Sequence, residues 1–268
     1  MKHGCLITGA SGGIGKEFAR VFAAEGHDLI LVARSSDKLE TLCAQLERTY
    51  GVEAVSFCAD LSCHAEIRRL YDWTAEQDWQ VDCLVNNAGF GDMSAFLDAL
   101  WPRQQALIDL NISAVVRLTY LFGRDMKKRG SGRILNLASV AAFSAGPYMS
   151  LYYASKSFVL SFSEALAREL KGSGVTVTAL CPGPTATGFE KNANMGKSVM
   201  FSRFRPATAA QVAKAGYRAV MKGRSIKYHG FVTGSFQLLA RALPRSLTRR
   251  MAEGMNRRRP EEEREIES

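Results

Sequence analysis

Two adjacent tyrosines stand close to a lysine in the segment "SLYYASKSF", residues 150–158. Residues three or four apart share one face of a helix, so Lys156 can approach either Tyr152 or Tyr153. A free tyrosine has a pKa near ~10, which is too high for a base at neutral pH. An ammonium about 4 Å away stabilises the phenolate by roughly 4 kcal/mol at an effective dielectric of about 20, or about three pKa units. Such a pair could exchange a proton with a carbonyl or alcohol oxygen during hydride transfer.

A glycine-rich turn, "TGASGGIG" at residues 8–15, follows the first apolar run. Gly9 permits a tight strand-to-helix turn, Gly13 lets backbone N–H groups reach a pyrophosphate, and Gly15 lets the helix lie close to the sheet. The N-terminus of that helix then faces the anion. Many strand–helix turns carry glycine, but the position of this one between the first strand and the first helix favours a dinucleotide site.

Short apolar runs alternate with amphipathic stretches along the chain. The sequence predicts strands at 5–10, 28–33, 52–58, 81–86, 133–138, 175–181 and 230–234. It predicts helices over 13–25, about 37–49, about 63–77, about 101–128 and about 152–171. Several strands are continuous runs of valine, isoleucine and leucine, which is typical of a parallel sheet with helices on both faces. The pattern predicts a single doubly wound α/β domain over residues 1–234, with about seven strands.

Composition and charge exclude several classes of protein. Of the 268 residues, 47% are hydrophobic and 23% are charged, which is ordinary for a soluble globular enzyme. No apolar run approaches the ~20 residues that a membrane span needs, and the N-terminus shows no leader with a cleavage site, so we expect a cytoplasmic protein. Six scattered cysteines without a C-x-x-C pair predict core residues in a reducing compartment. The four histidines lie far apart, so we expect no metal.

The formal net charge of +9 is concentrated near the C-terminus. Residues 241–259 contain seven arginines and one acidic residue, Glu253. A nucleic-acid-binding protein would combine such charge with a recognisable module. None is found, so we expect no nucleic acid as a partner.

Residues 235–259 form a basic amphipathic helical extension, interrupted by Pro244. A helix of this kind can lie on an anionic membrane surface, here through 236–259, or pack on its own domain or a partner subunit. Packing is the favoured interpretation. The acidic end, 260–268, is expected to be disordered.

These motifs together resemble the short-chain dehydrogenase/reductase family. The spacing G-x-x-x-G-x-G after Thr8, "NNAG" at 86–89, a serine at Ser139 and Y-x-x-x-K starting at Tyr152 follow the order of that family. The resemblance covers roughly residues 3–234. It implies a Rossmann-type domain and an oxidoreductase that interconverts a ketone and a secondary alcohol.

The resemblance also assigns roles to the candidate catalytic residues. Tyr152, rather than Tyr153, is the implied proton donor or acceptor, and Tyr153 then packs against the core or a neighbouring subunit. Lys156 is implied to lower the pKa of Tyr152 and to hold ribose hydroxyls, while Ser139 polarises the carbonyl. Asn111, inside a long helix, is implied to hold a water on the proton path to Lys156.

The end of the second strand predicts which nicotinamide cofactor is bound. An acidic residue there would bind the ribose 2′-hydroxyl, but the sequence has "LVARSS", in which Arg34 suits a 2′-phosphate. NADP(H) is therefore the expected cofactor, unless Arg34 is only a solvated loop residue. With the family resemblance, the cofactor residues are Gly9, Ser11, Gly12, Gly13, Ile14, Gly15, Arg34, Ser35, Asp60, Leu61, Asn87, Ala88, Gly89, Tyr152, Lys156, Pro182, Gly183, Thr185 and Thr187.

A loop over about 185–207 combines methionines and phenylalanines, which predicts an apolar lid over a substrate. The loop lacks the clustered acids and amides that a polyol would require. The predicted pocket residues are Phe90, Ala141, Phe143, Tyr148, Met149, Pro184, Phe189 and Met195.

The patterns "ALCPGPT" and "LPRSL" resemble the branch that contains 3-oxoacyl-CoA reductases and hydroxysteroid dehydrogenases. The resemblance implies a hydroxysteroid or bile acid as substrate, with a 3-oxoacyl thioester as the alternative. A non-catalytic NADP sensor is a further alternative, although it would not need a proton relay. Family members also suggest a homodimer or homotetramer formed through the helices near 101–128 and 152–171.

Overall fold

A parallel sheet of seven strands lies at the centre of the computed structural model, which describes residues 1–189, 193 and 206–256. The strands of this sheet are β1 (Lys2–Thr8), β2 (Asp28–Ala33), β3 (Ala54–Cys58), β4 (Trp79–Asn86), β5 (Gly132–Leu137), β6 (Val175–Pro182) and β9 (Ile226–His229). They are arranged in the order β3-β2-β1-β4-β5-β6-β9. A separate small pair is formed by β7 (Thr185–Ala186) and β8 (Ala207–Thr208). The strand order reverses between β1 and β4, which is where ligands bind in open α/β sheets.

Helices cover both faces of the sheet. They are α1 (Gly13–Ala24), α2 (Ser36–Tyr50), α3 (His64–Glu76), α4 (Trp101–Ile108), α5 (Val115–Arg129), α6 (Ser150–Glu169), α7 (Ala209–Met221), α8 (Phe231–Ala242) and α9 (Arg245–Asn256). A π-helical segment, Asp109–Ala114, joins α4 to α5. Ile7 of β1 packs in one apolar core with α1, α2 and α7, while the adjacent Leu6 packs in the other core with α3 and α5. The prediction of a doubly wound α/β domain is confirmed.

The seventh strand lies earlier than the sequence predicts. The prediction of a strand at 230–234 is wrong, because the strand that pairs with β6 is Ile226–His229 and α8 begins at Phe231. Gly230 separates the two elements with a φ of +87°, a left-handed conformation that ends the strand. The apolar run "GFVTG" therefore belongs mostly to the first turn of a helix.

The C-terminal extension forms two helices rather than one. Pro244 separates α8 from α9, and its carbonyl accepts hydrogen bonds from the backbone N–H groups of Leu247 and Thr248. The extension begins at Phe231 instead of 235. The acidic end at 260–268 lies outside the described residues.

One helical stretch, Trp101–Arg129, is long and apolar enough to cross a membrane, with a mean hydropathy of 1.4 in its most apolar window. This finding differs from the expectation that no run approaches such a length. However, 44% of that window is buried within the fold, and α5 packs against β4 and β5. The stretch therefore has the packing of a core helix.

Candidate active site

Three of the predicted catalytic residues lie together at the carboxyl edge of the sheet. Ser139 follows the end of β5, and its side chain lies close enough to the Tyr152 side chain from α6 to act on the pKa of that phenol. One turn further along α6, the Lys156 Nζ lies 5.8 Å from the centre of the Tyr152 ring. It donates a hydrogen bond to the carbonyl of Leu137 at 2.7 Å. The spacing on α6 and the position of Ser139 therefore bring a phenol, a hydroxyl and an amine to one place.

Burial controls the protonation of the tyrosine and the lysine. Burial raises the pKa of Tyr152 to about 12, although the neighbouring Ser139 side chain partly offsets this effect. Burial also lowers the pKa of Lys156 to about 8. The expectation that Lys156 lowers the pKa of Tyr152 stays a prediction, because burial dominates this pKa in the polypeptide alone. Desolvation disfavours the phenolate and the ammonium alike, so it raises the pKa of the tyrosine and lowers that of the lysine.

Asn111 lies in the π-helical segment and is only 1% exposed. Its Oδ1 accepts a hydrogen bond from the Phe90 N–H at 3.1 Å, and its Nδ2 donates to the Phe90 carbonyl at 2.9 Å and to Ser155 Oγ at 3.2 Å. A Cβ on Gly89 would lie 2.9 Å from Asn111 Oδ1 and 3.7 Å from Lys156 Nζ. Asn111 thus joins the end of β4 to α6 beside Lys156, in an interrupted helix as expected. Its role on a proton path stays a prediction.

The glycine turn has the conformation that its sequence predicts. Gly9 and Gly13 have φ values of +66° and +51°. A Cβ on Gly15 would collide with the Gly9 carbonyl, so only glycine allows this approach of α1 to the turn. Among the described residues, no side chain caps the N-terminus of α1 at Gly12, and a Cβ built there would meet none of their atoms within 4 Å. The turn is therefore an open cradle of backbone N–H groups around Ser11, Gly12, Gly13 and Ile14.

The "NNAG" segment is tied to the same turn. Thr8 Oγ1 accepts hydrogen bonds from the N–H groups of Asn87 and Ala88 at 2.9 and 3.0 Å. Asn87 Nδ2 in turn donates to the Thr8 carbonyl at 2.8 Å. These bonds hold the carboxyl ends of β1 and β4 together, so the expected cofactor residues of both strands lie side by side.

Arg34 lies at the end of β2, with Ser35 as the N-terminal cap of α2. Its side chain is 78% exposed, and its Nη1 lies 3.9 Å from Asp60 Oδ2. Burial alone would raise the pKa of Asp60, but hydrogen bonds from Ser62 and the charge of Arg34 hold that pKa below its usual value. Leu61 beside it is buried. Asp60 is therefore ionised and forms an ion pair with Arg34.

A cavity of about 410 Å³ lies between the glycine turn and α2. Its lining residues are Ser11, Lys16, Asp37, Lys38, Thr41, Leu42 and Gln45. Sequence reasoning missed Lys16 and Lys38. The signal that could have found them is their position, in the first turns of α1 and α2 beside the glycine turn and Arg34. Two ammonium groups at this end of an open cradle fit the phosphates of a dinucleotide.

The segment after β6 faces the glycine turn from the other side. A Cβ on Gly13 would lie 3.4 Å from Thr187 Cβ. Thr185 Oγ1 donates to the Gly183 carbonyl at 2.9 Å, and Thr187 Oγ1 accepts from the Phe189 N–H at 3.1 Å. Pro182, the last residue of β6, leads into this turn. The four predicted residues are therefore at the carboxyl edge, as the expected cofactor site requires.

Sequence reasoning also missed Thr233 in the first turn of α8. A Cβ on Gly183 would lie 2.7 Å from Thr233 Oγ1, and this hydroxyl is buried without a hydrogen-bond partner among the described residues. The sequence predicted a strand at 230–234, so it did not indicate that Thr233 lies in a helix beside Gly183.

An apolar cluster borders Tyr152. It contains the predicted pocket residues Ala141, Met149 and Phe189, and the rings of Tyr152 and Phe189 are 5.3 Å apart. Residues that the sequence did not single out complete it, namely Met93, Ala193, Ala252 and Met255. Ala252 and Met255 belong to α9, and they join the cluster only because α9 packs against the domain, which the sequence does not show.

The remaining pocket predictions have different outcomes. The Phe143 ring packs against Tyr228 at 5.7 Å in a separate cluster near β9, so its place in the pocket stays a prediction. Phe90 does not join the cluster around Tyr152, and its ring lies under the Arg103 guanidinium at 5.2 Å. Tyr148 is 37% exposed with a φ of +64°.

Two further pocket predictions concern the loop that follows β6. The Pro184 carbonyl accepts a hydrogen bond from the Ala207 N–H at 3.0 Å, which holds β7 and β8 together. Met195 lies outside the described residues.

Fold and site together define a Rossmann-type oxidoreductase site, with a dinucleotide cradle on one side of a serine–tyrosine–lysine group and an apolar cluster on the other. Among the described residues, no three histidine, cysteine or acidic side chains could hold a metal ion together. The family profile described as short chain dehydrogenase matches residues 4–198. The chain belongs to this family.

Individual relatives of this chain were found both by similarity of sequence and by similarity of structure. The chain is 36% identical over 197 residues to a 3-oxoacyl-(acyl-carrier-protein) reductase of Synechocystis sp., covering 73% of this chain and 79% of that protein. It is 36% identical over 199 residues to 17-beta-hydroxysteroid dehydrogenase type 3 of Mus musculus, covering 72% and 64%.

Among solved structures, a short-chain dehydrogenase from Sphingobium yanoikuyae in complex with NADPH superposes with a TM-score of 0.79 at 30% identity, covering 92% of this chain and 98% of that one. A bulky-bulky ketone specific alcohol dehydrogenase from Comamonas testosteroni gives a TM-score of 0.76 at 27% identity, covering 90% and 92%.

Proposed function

We propose that this oxidoreductase uses NADP(H) to interconvert a ketone and a secondary alcohol on a bulky apolar substrate. The observation that carries the proposal is the placement of Ser139, Tyr152 and Lys156 side by side, at the boundary between the glycine turn and the apolar cluster. The complex of a similar dehydrogenase with NADPH supports the cofactor, as do Arg34, Lys16 and Lys38 in this chain.

Each site residue has a separate role in the reduction of a ketone. Bound NADPH supplies the hydride. Tyr152, whose pKa of about 12 keeps the phenol protonated, donates a proton to the carbonyl oxygen. Ser139 donates a hydrogen bond to the same oxygen and stabilises the charge that develops on it. Lys156 replaces the proton on Tyr152, and its pKa of about 8 allows it to give up and regain a proton near neutral pH.

The apolar cluster favours a hydroxysteroid or bile acid as the substrate. The pocket wall beside Tyr152 is built from alanine, methionine and phenylalanine side chains, which offer shape and apolar area. Similarity to a hydroxysteroid dehydrogenase and to a dehydrogenase specific for bulky ketones supports this choice. Similarity to a 3-oxoacyl reductase supports a 3-oxoacyl thioester as the second candidate.

The test is a panel of steroid ketones, bile-acid ketones and 3-oxoacyl thioesters, each followed by the absorbance of NADPH. Tyr152→Phe is the control, because it removes the proton donor and keeps the ring. We expect turnover of a steroid or bile-acid ketone by the wild type and none by the variant, with NADPH binding unchanged. Absence of turnover with every ketone would favour the NADP-sensing alternative, and near-normal turnover by the variant would contradict the mechanism.

We also propose that the enzyme is a homodimer or homotetramer assembled through α5 and α6. Tyr120 on α5 is 60% exposed and Phe158 on α6 is 40% exposed, with Phe158 stacked on Phe162. Light scattering after size-exclusion chromatography measures the assembly, and a monomer would contradict the proposal.

A weak membrane contact is proposed for the outer face of α9, where Leu247 and Met251 are exposed beside Arg249 and Arg250. Co-sedimentation with anionic liposomes measures this contact. Absence of salt-sensitive binding would contradict it.

A further inference from the structure

The C-terminal helix α9 is held against the substrate side of the domain by one buried face. Thr248, Ala252 and Asn256 lie four residues apart and are 4%, 0% and 1% exposed. Ala252 is part of the apolar cluster beside Tyr152, and Met255 packs against that cluster. Of the three buried residues, Asn256 is the one whose side chain bonds to residues next to the catalytic tyrosine.

The amide of Asn256 bonds to two segments at once. Its Oδ1 accepts a hydrogen bond from the Tyr153 hydroxyl at 3.2 Å, and its Nδ2 donates to the Pro147 carbonyl at 2.9 Å. Tyr153 lies on α6 directly after Tyr152, and the two rings are 6.2 Å apart. A single buried amide therefore connects α9 with α6 and with the loop before α6.

The two partners of Asn256, Tyr153 and the loop that contains Pro147, are held by close contacts of their own. A Cβ on Gly146 would lie 2.5 Å from the Tyr153 ring, so the loop backbone lies directly against that ring. Tyr148, which follows Pro147, has a φ of +64°, and its carbonyl accepts from the Ser94 N–H at 2.8 Å. A shift of α9 would therefore act on the loop and on α6 together.

We propose that Asn256 is a positioning residue that fixes α9 as a wall of the substrate pocket, at a set distance from Tyr152. Apolar contacts through Ala252 and Met255 would hold the helix to the domain, but such contacts are not directional. The two hydrogen bonds of a buried amide are directional, and losing them leaves buried polar groups unpaired. Asn256 thereby sets the pocket size for a bulky ketone. The assignment of substrate class rests on the proposed function.

The experiment uses the full-length enzyme with Asn256→Leu, Tyr153→Phe and the double variant. Leucine keeps similar volume and apolar packing, while Phe removes only the hydroxyl of Tyr153. Kinetics are measured with a bulky steroid ketone and with cyclohexanone as a small one. We expect Tyr153→Phe to raise the KM for the steroid ketone about tenfold, the effect of one lost hydrogen bond, and Asn256→Leu, which loses two, to raise it at least as much. The KM values for cyclohexanone and NADPH should stay near those of the wild type.

The double variant tests whether the two residues act through their shared bond. We expect the steroid KM of the double variant to match that of Asn256→Leu, because the bond between the two residues is already lost in that single variant. Arg250→Leu is the matched control, since Arg250 lies on the same helix with an exposed side chain, and it should not change the ratio of the two KM values.

Several results would overturn the proposal. Additive effects of the two substitutions on the steroid KM would overturn it. A lower melting temperature with an unchanged ratio of the two KM values would also overturn it, because that result would show a purely structural role for Asn256. If Asn256→Leu does not fold, Tyr153→Phe tests the same bond from the other side. If the wild type reduces no ketone, the proposed function fails, and the variants are compared by their affinity for cholate in the presence of NADPH. Equal affinities, or no cholate binding by the wild type, would then overturn the role of Asn256.

Discussion

Replacing Arg34 with aspartate tests the proposed preference for NADPH. The Arg34 guanidinium is 78% exposed and lies 3.9 Å from Asp60, so its charge is available beside the glycine turn. Loss of one charge-assisted hydrogen bond to a phosphate costs about 1.5–3 kcal/mol. This corresponds to a rise of about 10- to 150-fold in the KM for NADPH. The new carboxylate would also stand beside Asp60 and repel a 2′-phosphate, which favours the upper end of that range.

The same substitution should leave NADH use and stability intact. An acid at the end of β2 suits a ribose 2′-hydroxyl, so the KM for NADH should stay constant or fall. Exposed ion pairs contribute at most about 1 kcal/mol, so the melting temperature should change little. Initial rates with one ketone at varied NADPH and NADH measure the effect. Arg68→Asp is the matched control, because Arg68 is also exposed and pairs with an aspartate, on α3. An unchanged preference for NADPH in Arg34→Asp would refute the assignment.

Two further substitutions test the interior of the site. Lys156→Met should abolish turnover yet raise the free energy of unfolding near neutral pH by up to about 2 kcal/mol. Lowering the Lys156 pKa from 10.5 to about 8 by burial costs about 3 kcal/mol, and loss of the hydrogen bond to the Leu137 carbonyl offsets at least about 1.5 kcal/mol of the gain. Between these pKa values the unfolded chain binds more protons at this lysine, so the gain should shrink as the pH rises, and denaturant titrations at several pH values measure it. A variant less stable than the wild type would contradict this reasoning. Gly15→Ala should lower stability by roughly 1–3 kcal/mol, because its Cβ would collide with the Gly9 carbonyl, whereas Gly12→Ala should not. Equal melting temperatures of these two variants would contradict the packing.

The sheet was predictable because its strands carry a local pattern. The continuous apolar run at 28–33 became β2 with the predicted bounds, and the run at 175–181 became β6 with one residue more. The seventh strand was misplaced because "GFVTG" has the composition of a strand, while its conformation depends on the left-handed turn at Gly230 and on the docking of α8. Neither cause is visible in the residues themselves.

The catalytic residues were predictable for a related reason. A spacing of three or four along a helix brings both Tyr152 and Tyr153 to the face of Lys156, and the end of a parallel strand brings Ser139 to the same edge. The choice of Tyr152 came from the family resemblance. The wall supplied by α9 could not be predicted, since Asn256 reaches Tyr153 only after more than a hundred residues have folded between them.

The direction of the pKa shift of Tyr152 depends on its burial, which no local sequence pattern predicts. An ammonium about 4 Å away lowers a phenol by only about three pKa units. Tyr152, with a pKa of about 12, would still hold its proton at neutral pH after such a shift. Lys156, whose pKa is lowered to about 8, still carries most of its charge at neutral pH. The folded polypeptide without cofactor therefore holds the phenol of Tyr152 protonated, which is the state needed to donate a proton to a carbonyl oxygen.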